Sequence, residues 1–208
     1  MGLSDITALH AALRARAGLA SFYGPSPSMF GQPSPPNLTR ERFLRVLGGE
    51  TTGPVPEDSE RLTVVSIAGG KASGPLVGGC LLDFIYTIGT TWEPDLDGAI
   101  FFFEDSGSAP IQIDRALLYL DQLGKLEQVR GVVVGELAGC EWDNFTTAPH
   151  SKTLEEVLAG RLGGLGVPVL YNLPLGHGAT LATLPLGVQA TLDADSKTLT
   201  IDERALAD

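Results

Sequence analysis

GAIFFFEDSGSAPIQIDRALLYLDQLGKLEQVRGVVVG, residues 98–135, reads as strand, helix, strand. Residues 98–103 are a short continuous apolar run, as expected of a strand buried on both faces, and the run ends in Glu104-Asp105. From residue 114 the period changes. Ala116, Leu117, Leu120 and Leu123 recur at helical spacing and predict an amphipathic helix over 114–123, stopped by Gly124. Residues 131–135, GVVVG, are a second buried strand.

The same alternation continues outward. Residues 62–68 and 167–170 read as strands, and residues 81–88 return to apolar helical spacing after a glycine-rich stretch at 69–79. Thr153-Leu154-Glu155-Glu156 has the form of a capping box and opens a helix to about Leu162. Residues 188–192 and 198–202 form a hairpin around 193–197. Upstream, residues 37–47 are a helix ending at Gly48-Gly49, whereas 24–36 and 50–60 are loops rich in turn residues. Residues 4–16 are a helix with Ile6, Leu9 and Leu13 as its apolar stripe, Ser4 at the N-cap position and Gly18 as its stop. Residues 19–23 follow as a short strand. Alternating strands and helices closed by paired strands define an α/β protein with an antiparallel or mixed portion. The first helix has no strand ahead of it, although α/β architecture normally supplies one through a tight turn.

Bulk composition narrows the function classes. The 208 residues are 43% hydrophobic and 19% charged, an ordinary globular balance. Fourteen Lys and Arg against 25 Asp and Glu leave a formal charge of −11, which disfavours nucleic acid and anionic membrane surfaces as partners. Cys80 and Cys140 lie far apart in no metal-binding or disulfide pattern, so two buried thiols are expected. No apolar run approaches the ~20 residues that span a bilayer, and the opening residues lack the plan of a signal peptide. A cytoplasmic protein without cofactor or metal is the expectation.

The chemistry-bearing candidates are few. Ser4 is either a helix cap or a nucleophile on a strand-to-helix turn, where a helix N-terminus favours developing negative charge. Glu104, just past an apolar strand, is either functional or a solvated strand end. Among three histidines, His10 falls on the first helix and His150 in a polar loop, while His177 is flanked by glycines in LPLGHGAT and has the most site-like setting. VSIAGGKASG, residues 65–74, fails the phosphate-loop spacing, because Val65 stands at the first glycine and Ala72 follows Lys71. Glu141, Asp143 and Asn144 lack a calcium-loop pattern and read as a solvated loop.

Taken in order, several segments resemble the LD-carboxypeptidase family, which includes the microcin-immunity peptidases. They are GLSDITAL, GLASFYGP, Gly78-Gly79-Cys80-Leu81, IGTTWEPDLDGAIFFFED, the 113–137 stretch and GVPVLYNLPLGHGATLATLPLGVQATLD, and together they cover almost the whole chain. The resemblance implies a Ser–Glu–His triad of Ser4, Glu104 and His177, with the backbone N–H of Asp5 as one oxyanion donor. It implies a flavodoxin-like amino-terminal domain, of which residues 1–47 are a remnant, a linker over 48–60, and a swivelling β/α carboxy-terminal domain over 61–208. The family's second oxyanion donor lies in an Arg-Gly-Gly-Tyr-Gly-like loop ahead of the serine, in a domain of which this chain is expected to lack most. Many relatives have Asn where Cys80 stands.

The implied activity is cleavage of the L,D amide to the terminal D-alanine of cytoplasmic murein tetrapeptides during cell-wall recycling. Two other readings stand beside it. One is a microcin-immunity-like amidase acting on aminoacyl-nucleotide analogues. The other is a non-catalytic fragment that needs a separate amino-terminal part. A small peptide substrate and a homodimer are the expected partners.

Overall fold

Residues 98–135 fold in the strand–helix–strand order read from them, with the two strands parallel. The computed structural model describes residues 1–30, 37–55, 61–144 and 151–206. His150 and residues 56–60 of the expected linker lie outside them. In chain order the elements are α1 (Ile6–Ala17), β1 (Ser21–Tyr23), α2 (Pro27–Phe30), α3 (Asn37–Leu47), β2 (Gly53–Pro54), β3 (Val65–Ala68), β4 (Lys71–Cys80) and α4 (Leu81–Ile85). There follow β5 (Ile100–Ser106), α5 (Pro110–Gln122), β6 (Gly131–Ala138), α6 (Leu154–Leu162), β7 (Val169–Tyr171), β8 (Leu184–Leu186), β9 (Gln189–Asp193) and β10 (Thr198–Ile201).

The main sheet runs β2-β10-β9-β4-β5-β6-β7-β3. Its centre, β4 to β7, is parallel, and antiparallel strands close both sides. The fold is therefore mixed α/β. β1 and β8 form a separate antiparallel ribbon, with Tyr23 opposite Leu184.

The three phenylalanines of β5 show why this strand is central. Phe101 and Phe103 pack under α4, α5 and α6 with Val132 and Val134. Ile100 and Phe102 point to the other face, among Leu76, Val133, Leu184 and Leu192. Each buried phenylalanine contributes about 1.5–3 kcal/mol relative to exposure. The alternation carries on past the apolar run, so Glu104 follows Ile100 and Phe102 onto their face while Asp105 turns towards the helices. The β5–β6 register shifts beside Glu104, with Phe103 opposite Val134 but Asp105 opposite Leu137. The extra residue sits in β6, and a bulge of this kind re-aims side chains at a strand end.

The structure departs from the sequence expectations at several elements. β4, the longest strand among the described residues, covers the stretch read only as glycine-rich. The glycines allow close approach: a Cβ on Gly78 would fall 1.6 Å from the Phe102 carbonyl oxygen. α1 does not bury Ile6 and Leu9, which are exposed; its inward residues are Thr7, His10 and Ala11. Packing against β4 decides this, because the Thr7 hydroxyl accepts the Cys80 N–H at 2.9 Å. α5 begins at Pro110 rather than 114, and Leu123 is its exposed C-cap. By contrast, α3 spans the residues expected of it, and Thr153 and Glu156 make the reciprocal capping bonds at the start of α6.

The first helix also has a strand-like lead after all. Gly2 bridges Tyr23 in parallel fashion, donating to the Phe22 carbonyl and accepting from Gly24, each at 3.1 Å. The helix N-cap is Asp5, with no side-chain capping bond, so Ser4 does not cap α1.

Candidate active site

Ser4 sits in the turn between the Gly2 bridge and α1 with φ +58, one of three described non-glycine residues with positive φ. Such a conformation costs an L-residue about 1–2 kcal/mol and collects at functional sites. Two contacts hold the turn. Tyr23 Oη accepts the Ser4 N–H at 3.2 Å, and the His10 ring, through Nε2, donates to the Gly2 carbonyl at 3.1 Å. Burial pushes the His10 pKa below its ordinary value, so this ring stays neutral under α1. The amides of Ile6, Thr7 and Ala8 are taken by the Leu3, Ser4 and Asp5 carbonyls. The Asp5 N–H has no partner among the described residues and remains available at the helix start.

Glu104 is fully buried, and three donors converge on its carboxylate. Tyr23 Oη donates to Oε1. The backbone N–H of His177 donates to Oε2 at 3.0 Å. The His177 ring bonds through Nδ1, 2.8 Å from Oε2 and 3.1 Å from Oε1. A carboxylate can only accept, so Nδ1 carries the proton and Nε2 is left as the basic nitrogen. The hydrogen bond to Glu104 raises the His177 pKa above its ordinary value against the opposing effect of burial. Burial, then the adjacent carboxylate, drives the Tyr23 phenol far above the tyrosine range, so it keeps its proton.

The glycines around His177 are there for the carboxylates. Gly176 has φ +112, and a Cβ on it would lie 2.2 Å from Glu104 Oε2. A Cβ on Gly178 would meet Oε2 of Glu136, whose carboxylate Arg61 grips through two bonds, to Oε1 at 2.8 Å and to Oε2 at 2.6 Å. The neighbouring Asp105 serves structure: it accepts the Leu82 N–H at the start of α4 and the Ser108 hydroxyl. Cys80 is buried beside Asp105, and burial raises its thiol pKa, so it is an inert packing residue; Cys140 is likewise buried and free.

The structure thus joins Glu104 to His177 directly and to the Ser4 backbone through Tyr23. Glu104 is not past its strand, as the sequence reading has it, but inside β5 and sealed from solvent. Sequence pattern marks neither Tyr23 nor His10 as a site residue. The only sequence signal for Tyr23 is its place in GLASFYGP, where a phenol ends a short strand. Glu141 and Asp143 flank Trp142 at a 3-10 turn, and among the described residues no cluster of His, Cys, Asp or Glu is arranged to hold a metal. No described helix is long and apolar enough to cross a membrane.

The cluster is thus an imidazole oriented by a buried carboxylate, which is tied through the Tyr23 phenol to the backbone of the Ser4 turn. The comparisons with known proteins place the chain more closely. The model of the LD-carboxypeptidase C-terminal domain matches residues 73–192, and this chain belongs to the LD-carboxypeptidase family. A Bacillus subtilis protein named as a probable murein peptide carboxypeptidase is 35% identical over 97% of this chain and 61% of its own length. Among solved structures, the muramoyltetrapeptide carboxypeptidase of Oxalobacter formigenes superposes with a TM-score of 0.80 at 28% identity, covering 98% of this chain and 67% of that one. The microcin C7 self-immunity protein MccF gives 0.84 at 27% identity, covering 99% and 67%. The chain spans 61–63% of the length of its relatives from Synechocystis, Streptomyces coelicolor and Bacillus subtilis.

Proposed function

We propose that this chain carries the active site of a serine-type LD-carboxypeptidase, with Ser4 as nucleophile, His177 as general base and acid, and Glu104 as orienting carboxylate. The supporting observation is the buried Glu104, which accepts both N–H groups of His177 and is tied through Tyr23 to the Ser4 turn. On this reading residues 1–47 bring the nucleophile and residues 61–208 the acid and base.

The chemistry follows from the tautomer. His177 Nε2 takes the hydroxyl proton as Ser4 Oγ bonds to the scissile carbonyl carbon. The carbonyl electron pair moves onto oxygen, beside the free Asp5 N–H at the positive end of α1. The intermediate collapses by expelling the amine of the terminal residue, which takes the proton back from His177. Water, activated by the same nitrogen, then cleaves the ester and returns the proton to Ser4. Glu104 stays ionised and stabilises the imidazolium throughout.

The substrate we propose is the L,D amide to the terminal D-alanine of a murein tetrapeptide, in a cytoplasmic setting. The relatives named for murein peptides and muramoyltetrapeptides support it. A microcin-immunity-like amidase activity is the second reading, supported by the likeness to MccF, one structure of which holds glutamyl sulfamoyl guanosine.

The test measures D-alanine release from murein tetrapeptide, and turnover of an aminoacyl sulfamoyl nucleotide, with wild-type chain and Ser4→Ala. Each is assayed alone and mixed with an amino-terminal segment of a relative. Wild type is expected to release D-alanine, with Ser4→Ala slower by a factor on the order of 10⁴ or more. Equal rates for the two would remove the serine mechanism. Faster turnover of the nucleotide substrate would select the second reading. A folded chain whose Ser4 resists a fluorophosphonate probe, even with the added segment, would leave it a non-catalytic fragment.

A further inference from the structure

Tyr23 is fully buried, and nothing in the chemistry above uses its hydroxyl. Its ring packs edge-on against Phe102, with centroids 5.3 Å apart at 74°, a contact that phenylalanine would make equally well. A hydroxyl placed in such surroundings is unfavourable unless bonded. Here it is bonded twice, donating to Glu104 Oε1 and accepting the Ser4 N–H at 3.2 Å. Its two partners come from opposite ends of the proposed machinery, the nucleophile's turn and the carboxylate behind the base.

We propose that Tyr23 is a positioning residue, whose phenol oxygen locks the backbone of the Ser4 turn to the carboxylate that orients His177. Its part in turnover rests on the serine-hydrolase reading above; the linkage itself does not. Without the phenol proton, the charge of Glu104 would be shared with His177 alone, and the imidazolium would be favoured. Without the phenol oxygen, the Ser4 N–H would lose its acceptor and the turn its tether to the sheet.

Glu104, Asp105 and Asp83 act on His177, and Glu136 with Arg61 lies under the adjoining Gly178. Glu104, Cys80 and the His10 ring face Tyr23. The ring resonances of His10 and His177 are separable.

The experiment uses the full chain with isotope-labelled histidine. His177 is titrated by NMR, and Ser4 labelling by a fluorophosphonate probe is timed, in wild type, in Tyr23→Phe and with 3-fluorotyrosine at position 23. Tyr23→Phe is expected to raise the His177 midpoint by about 0.5 pH unit or more. Its maximal labelling rate should fall about tenfold or more with probe affinity unchanged. The fluorinated phenol is a stronger donor and is expected to move the midpoint the other way. A midpoint that stays put in both variants, or moves in the same direction in both, overturns the proposal. If Tyr23→Phe fails to fold, the fluorotyrosine arm decides alone. Opposed shifts without any labelling of Ser4 uphold the linkage and sink the hydrolase reading. Labelling with an unresponsive midpoint does the reverse.

Discussion

Gly176 and Glu104 are in backbone-to-carboxylate contact: a methyl group on Gly176 would lie 2.2 Å from Oε2. This closeness lets the His177 amide and ring both reach the same carboxylate. Gly176→Ala therefore adds a clash to a φ of +112 that alanine rarely adopts. We expect a loss of about 1–3 kcal/mol in stability. The His177 titration midpoint should drop towards the ordinary imidazole range as the ring leaves Glu104. An NMR titration of the variant checks it; an unmoved midpoint would show that the glycine is not what seats the histidine.

Ser4 holds a left-handed conformation that glycine adopts freely. Ser4→Ala keeps the strain and removes the hydroxyl, whereas Ser4→Gly removes both. Both variants are expected to be inactive. The glycine variant should melt about 2–4 °C above the alanine variant, corresponding to about 1 kcal/mol of relieved strain. Scanning calorimetry decides; identical melting temperatures would mean that the turn stores no strain.

His177 predicts opposite trends in activity and stability with pH. Its folded-state pKa is raised by the hydrogen bond to Glu104. Protonated His177 therefore contributes stability that is complete below its unfolded-state value and is lost as pH rises through the raised folded value. Over that same window the neutral base accumulates, so kcat/KM climbs while the urea midpoint falls. In Glu104→Gln the acid limb should return towards the ordinary imidazole range. An acid limb lying below that range in the wild type would contradict the pairing.

The distant α6 cap offers a control. Thr153→Ala removes the acceptor of the Glu156 N–H and should cost about 0.5–2 kcal/mol with no change in the His177 titration. Leu117→Ala, in the fully buried face of α5, should cost about 2–5 kcal/mol, again without moving His177. Denaturant midpoints give both values. A coupled change at His177 would mean that the site is not insulated from the helical layer.

By itself the sequence determined the elements whose stability is local. The apolar run of β5, the helical spacing of Ala116, Leu117 and Leu120 in α5, the capping box of α6 and the Gly48-Gly49 stop of α3 all name their structure without knowing their neighbours. The ordered family segments also pointed to Ser4, Glu104 and His177. Tertiary structure decided what depends on approach between distant segments. Glycines conceal β4, because a glycine carries no pattern and its value lies in the Phe102 carbonyl it lets near. The inward face of α1 went to Thr7, His10 and Ala11 because β4 and the Gly2 carbonyl supply hydrogen-bond partners that helical periodicity cannot see. Tyr23 is the clearest case. Its phenol meets Glu104 and Ser4 only once the β1–β8 ribbon lies over β5, and no spacing along the chain encodes a bond between residues 81 positions apart.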